Sequence, residues 1–108
     1  MNCAQLLARY EEVWRLTQQM LELAQRGDWD QLTALEHERA AMVDQLAGQE
    51  EEKIWGSAEG ARKGDLIRAI LEADAEIKVL TEAWMEELQE ILGSIGTEKK
   101  LQTAYQSQ

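Results

Sequence analysis

Imidazole and thiolate carry most metal and nucleophilic chemistry, so the single histidine and the single cysteine come first. His37 sits in Leu35-Glu36-His37-Glu38-Arg39. A helical metal site needs a second His or a Cys three or four positions away on the same face, and neither is there. His37 therefore reads as solvated surface. Cys3 has no base at a usable spacing and reads as a free thiol. One cysteine cannot close an internal disulfide, which excludes a small secreted scaffold held by such bonds. The glycines between 56 and 64 form neither a dinucleotide fingerprint nor a phosphate loop. Glu11-Glu12 and Glu86-Glu87 are adjacent pairs that diverge around a helix and lack the loop of a calcium site.

Arg39 is more informative, because it falls between Leu35-Glu36 and Met42-Val43 on an apolar face. A small all-helical mutase would need inward Arg and Lys groups to hold a dicarboxylate. The cations at hand, Arg9, Arg15, Arg39, Arg68 and Lys78, are outnumbered by acids that repel such a substrate. Arg39 is instead read as a stem packed on the core, with its head reaching water or a Glu. No catalytic residue, cofactor site or metal site is expected, and the chain is read as non-enzymatic.

The elements that carry these residues are helical. Pro is absent from the 108 residues and 44% are apolar, so nothing interrupts the backbone ladder. From Asn2 to Arg26, Leu6/Leu7, Tyr10, Val13/Trp14, Thr17, Met20/Leu21 and Ala24 recur at steps of three and four, the mark of one long amphipathic helix. Gly27 ends it, and Asp28 opens the next helix with Gln31 three residues on, a capping-box pattern. That second helix, about Trp29 to Ala47, places Leu32, Leu35, Met42/Val43 and Leu46 on one face, with Gly48 as its C-cap. A two-residue break forces the two helices into an antiparallel hairpin.

Residues 48–64 read as a Gly-rich connection, with Gln49 to Trp55 partly helical. A third helix is expected over 65–92, stopped by Gly93, and a short C-terminal helix over 97–106. The fold expectation is one all-α domain across 1–108: an antiparallel helical bundle of three long helices plus a short C-terminal helix.

Charge narrows the function classes. Eleven Lys and Arg face 21 Asp and Glu, a net charge of -10. That lacks the basic footprint of a nucleic-acid binder and would be repelled by anionic lipid. Met1 to Ala8 shows no signal-peptide pattern, and no apolar run approaches the ~20 residues a membrane span needs. A cytoplasmic location is expected. The negative charge concentrates on the second and third helices, which keeps apolar helix surface in solution.

Apolar surface is what remains. The third helix offers one stripe through Leu66, Ile70, Ala73, Ile77, Leu80, Trp84, Leu88 and Ile91, and a second through Ile67, Leu71, Met85 and Leu92. A two-helix hairpin can cover only part of that circumference. The surplus calls for a further packing partner: a second copy, the tail, or another protein's helix. Met, Trp and Leu together suit helix-in-groove binding. A helical binding module is the reading. A co-regulator that sequesters a transcription activator and a structural helical dimer stay open beside it.

Three stretches in order resemble the FliT flagellar export chaperones. They are Met20-Leu21-x-Leu23-Ala24-x-x-Gly27-Asp28-Trp29-Asp30-x-Leu32-x-x-Leu35-Glu36, then Ile67-x-x-Ile70-Leu71-x-x-Asp74-x-x-Ile77, and last Lys100-Leu101-x-x-Ala104-Tyr105. The resemblance covers about 5–47 and 64–106. It implies a cytoplasmic chaperone of the flagellar type III secretion system that binds the filament-cap protein FliD and prevents premature assembly. It further implies contacts with the export ATPase FliI and the gate protein FlhA. Binding of FlhDC, with negative regulation of flagellar transcription, is implied from enteric members. By the same resemblance residues 1–47 would support homodimerisation, and client binding would fall to Ile67, Ile70, Leu71, Asp74, Ile77, Leu80, Trp84 and Leu88. Leu101, Ala104 and Tyr105 would belong to a tail that covers the binding face and meets the export apparatus.

Overall fold

Asn2 starts the first helix by exchanging hydrogen bonds with Gln5. The Gln5 amide donates to Asn2 Oδ1 at 2.8 Å, and the Asn2 amide donates to Gln5 Oε1 at 3.0 Å. This reciprocal box satisfies two otherwise orphaned donors. The helix it opens, α1, spans Cys3–Arg26. The computed structural model describes the backbone of residues 2–50 and 54–106, and the side chains of 2–49 and 54–93.

Gly27 closes α1 with φ 74° and ψ 22°, the left-handed conformation that glycine adopts without steric cost. Its amide donates to the Ala24 carbonyl at 3.2 Å, and the Asp28 amide donates to the Leu23 carbonyl at 2.9 Å. That pair is a Schellman closure. The chain then enters α2, Trp29–Glu50. The Gln31 amide donates to Asp28 Oδ1 across 3.4 Å, one half of the expected box, while the Asp28 amide is taken by the Leu23 carbonyl.

Helix α3 spans Ser57–Gln106, 50 residues and about 75 Å at 1.5 Å per residue. Three boundary expectations change here. Gly48 does not cap α2, which continues to Glu50. The third helix begins at Ser57, not near Asp65, and takes in half of the expected Gly-rich connection. Gly93 does not stop it, so the backbone of 97–106 continues α3 and is not a separate fourth helix. A mid-helix glycine costs about 1 kcal/mol, which a long helix absorbs unless the chain turns left-handed there. Among the described residues Gly27 alone has a positive φ.

The described architecture is thus all-helical, with three helices and no strand among the described residues. Helix α1 is the spine, packing against both of the others. At one end Leu6 and Val13 bury against Leu46, with Tyr10, Met42, Trp55 and Ile70 around them. At the other end Met20, Leu23 and Ala24 bury against Leu32 and Ile77, flanked by Leu21, Trp29, Leu35 and Leu80. Leu6 meeting Leu46 makes α1 and α2 antiparallel, and Val13 near Ile70 with Met20 near Ile77 makes α3 run parallel to α1. No α2 Cα comes within 8 Å of an α3 Cα among the described residues. Those two helices meet instead through their side chains, along a seam floored by α1. After Trp84, α3 runs on past the hairpin turn, and the molecule is 76 Å long against 23 and 18 Å across.

Candidate functional site

The seam is bridged at its middle by a polar group from each helix. Arg39 occupies a core-facing position of α2, where its stem covers apolar surface and its head must find acceptors. Its Nη1 donates to Asp74 Oδ1 of α3 at 2.6 Å and to Thr17 Oγ1 of α1 at 3.0 Å. The fully buried Thr17 hydroxyl in turn donates to the Val13 carbonyl at 2.7 Å. Arg39 thus reaches an Asp on the third helix, where the sequence suggested water or a Glu. Asp74, expected to meet a client, is engaged within the molecule.

Hollows lie on both sides of this bridge. Toward the open end, Tyr10, Val13, Val43, Leu46, Ile67 and Leu71 line an apolar groove of about 200 Å³. Toward the turn, Met20, Trp29, Leu32, Ile77 and Trp84 border one of about 400 Å³. There Trp29 and Trp84 stack across the seam, with ring centroids 4.8 Å apart and planes 29° from parallel. Between them a third hollow carries Glu36, Ala40, Val43, Asp44 and Ile70, and it shares walls with both neighbours.

The residues expected to bind a client divide into two sets. Ile77 is buried in the core, and Ile70, Leu80 and Trp84 pack against core clusters or ring partners. Ile67 and Leu88 are half-buried, and Leu71 is 61% exposed. Most of the second stripe of the third helix is turned outward, Met85 and Leu92 joining Leu71 on the surface, while Ile91, expected in the core stripe, is exposed because α3 there has run past the hairpin turn. Val43, expected on the apolar face of α2, is 45% exposed, and Val79 of α3, not singled out from sequence, is exposed as well. Val79 lies about 80° around the helix from Leu71, outside both apolar stripes, so spacing gave no signal for it. Leu101, Ala104 and Tyr105 lie outside the described side chains.

Other polar contacts sit at the edges. Lys63 Nζ lies 4.7 Å from the Trp55 ring centroid and 5.6 Å from that of Tyr10, a cation–π contact that ties the start of α3 to α1. Arg62 pairs with Glu11 at 3.6 Å on the same flank. Cys3 Sγ donates weakly to the Ile54 carbonyl at 3.5 Å. On α1 the Arg15 guanidinium hydrogen-bonds Glu12 and holds its carboxyl below the usual carboxylate range; both groups are exposed, so the pair adds little to stability. His37 is exposed. No group of three or more His, Cys, Asp or Glu among the described residues could hold a metal ion. No helix among them is long and apolar enough to cross a membrane.

The three-helix chain has known counterparts. The family described as Flagellar protein FliT matches residues 7–107 of the chain. The flagellar protein FliT of Escherichia coli O9:H4 (strain HS) is 27% identical over 107 residues, covering 99% of this chain and 88% of that protein. The flagellar protein FliT of Yersinia enterocolitica is 30% identical over 104 residues, covering 93% and 83%. The crystal structure of flagellar protein FliT from Bordetella bronchiseptica superposes with a TM-score of 0.74 at 28% identity, covering 80% of this chain and 97% of that one.

Proposed function

Because this chain belongs to the FliT family of flagellar proteins, we propose that it is a cytoplasmic export chaperone whose client is the filament-cap protein FliD. One observation carries the reading. Helix α3 keeps Leu71, Met85 and Leu92 on the surface along one stripe, 42–61% exposed, although its other stripe already fills the core. Large apolar side chains held outward along one long helix form the kind of surface that marks a partner site.

The mechanism is stoichiometric. An amphipathic client helix lays its apolar side on this surface and is hidden from assembly partners until export. Burying ~500 Å² of apolar area per side gives on the order of 12 kcal/mol gross at 25 cal/mol/Å². Association and ordering costs cancel much of that, which leaves micromolar binding. That strength suits a client that must be released. On the same reading the export ATPase FliI and the gate protein FlhA receive the loaded chaperone, and FlhDC is a further partner through which transcription is repressed.

Co-purification with FliD tests the proposal. Recovery of the cap protein supports it, whereas recovery only of a DNA-binding complex favours the co-regulator reading and removes the chaperone. Repeating the experiment without residues 94–108 tests the tail as a cover: tighter binding supports it and unchanged affinity rejects it.

A further inference from the structure

The seam between α2 and α3 carries an asymmetry of charge that bears on the chemistry of the client, and the inference rests on the chaperone reading above. Among the charged residues lining its three hollows, Arg39 is joined to Asp74, and Lys78 is joined to Glu82 at 3.9 Å. The acids left over, Asp30, Glu36 and Asp44, all stand on α2, and all three are exposed. The opposite wall, from α3, is aliphatic at the open end through Ile67, Ile70 and Leu71. From Trp29 to Ala47 the hollows follow one another along α2, a distance of about 27 Å at 1.5 Å per residue.

We infer that this seam takes a client helix of about 18 residues whose aliphatic face is bordered on one edge by Lys or Arg. The aliphatic face lies on Val43, Ile67 and Leu71. The basic edge faces Glu36 and Asp44, where each cation gains a carboxylate that has no ion-pair partner among the described residues. Charge on one wall fixes which way round the helix lies, because a reversed helix would turn its basic edge toward α3. Rim charges of this kind set partner choice and association rate more than raw affinity, and their effect falls with salt.

Two designed 18-residue peptides test this, sharing one Leu/Ala face and carrying Lys or Glu along one edge. Fluorescence anisotropy with the full chain should show the Lys-edged peptide binding about tenfold tighter at low salt, with the gap narrowing at high salt. The double variant Glu36→Lys/Asp44→Lys should reverse the preference. Glu86→Lys/Glu87→Lys makes the same change in net charge away from the seam and should leave the preference in place. Equal effects from both variants would reduce the selectivity to overall charge and overturn the inference, as would absence of saturable binding by the Lys-edged peptide. Val43→Glu should abolish binding of either peptide, and circular dichroism shows whether each variant stays folded. If FliD binds the wild type but ignores Glu36→Lys/Asp44→Lys, this inference fails and the chaperone reading stands. If FliD does not bind at all, the chaperone reading fails.

Discussion

Arg39 and Asp74 meet at 2.6 Å across a seam where the two helices that carry them have no backbone contact among the described residues. The guanidinium is 17% exposed and the carboxylate 35%, so the pair is shielded on one side and wet on the other. With the Trp29–Trp84 stack it links α2 directly to α3, and Thr17 adds α1 to the same junction. A charged pair at a core-facing level also fixes register, because any slip of one helix by a turn would strand a charge on apolar surface.

Asp74→Ala should therefore destabilise the protein by about 1–2 kcal/mol, less than the value for a fully buried pair because water still reaches the carboxylate. Chemical denaturation measures this. The double variant Arg39→Met/Asp74→Leu should recover most of the loss, since it removes both charges and keeps the volume. A double variant as unstable as Asp74→Ala alone would show that Arg39 contributes through its stem.

The Trp pair makes a spectroscopic prediction. Stacked indoles 4.8 Å apart couple, so Trp29→Phe and Trp84→Phe should each remove the same feature from the circular dichroism spectrum. Each should also cost about 0.5–1.5 kcal/mol beyond lost area. Two unrelated spectral changes would mean that the rings do not stack in solution.

Burial ranks the leucines. Leu6 and Leu16 are 0% and 1% exposed, and truncating either to Ala should cost about 2–5 kcal/mol in denaturant melts. Leu92 is 57% exposed, and its truncation should stay within about 0.5 kcal/mol. Leu80 lies between, packed on the core cluster, so Leu80→Asp should unfold the protein before it reports on any partner.

Gly27→Ala should lower stability by about 1 kcal/mol, because its φ of 74° is strained for any residue with a Cβ. Gly48→Ala should do the opposite. It lies within α2, and a Cβ there meets nothing within 4 Å. Thermal melts separate the two, and a gain at Gly27 would contradict the left-handed closure.

These glycines also show what sequence could and could not reveal. The turn at Gly27-Asp28 was legible because its signal is local: a stop, a cap and a two-residue gap. The core stripe of α3 was legible from its spacing. Gly48, Gly60, Gly64 and Gly93 looked like breaks, yet glycine only weakens a helix, and packing decides whether the chain turns. At the start of α3 the Gly60 amide donates to the Gly56 carbonyl at 2.8 Å and Lys63 sits over the Trp55 and Tyr10 rings, contacts that no periodicity displays. The box at Asn2-Gln5 has the same spacing as Asp28-Gln31 and was readable by the same rule. At the candidate site, the division of α3 into a core stripe and an outward stripe was foreseeable. The engagement of Asp74 by Arg39 was not, because it joins residues 35 apart in sequence.

Titration of purified FliD into the full-length chain by calorimetry, beside Leu71→Asp, tests the chaperone reading most directly. Leu71 is 61% exposed, so its change should leave the unfolding free energy from urea melts within about 0.5 kcal/mol of the wild type. Micromolar one-to-one binding by the wild type, weakened at least about tenfold by Leu71→Asp, is the expected result. Equal affinity for both proteins, or no heat of binding with either, would contradict it.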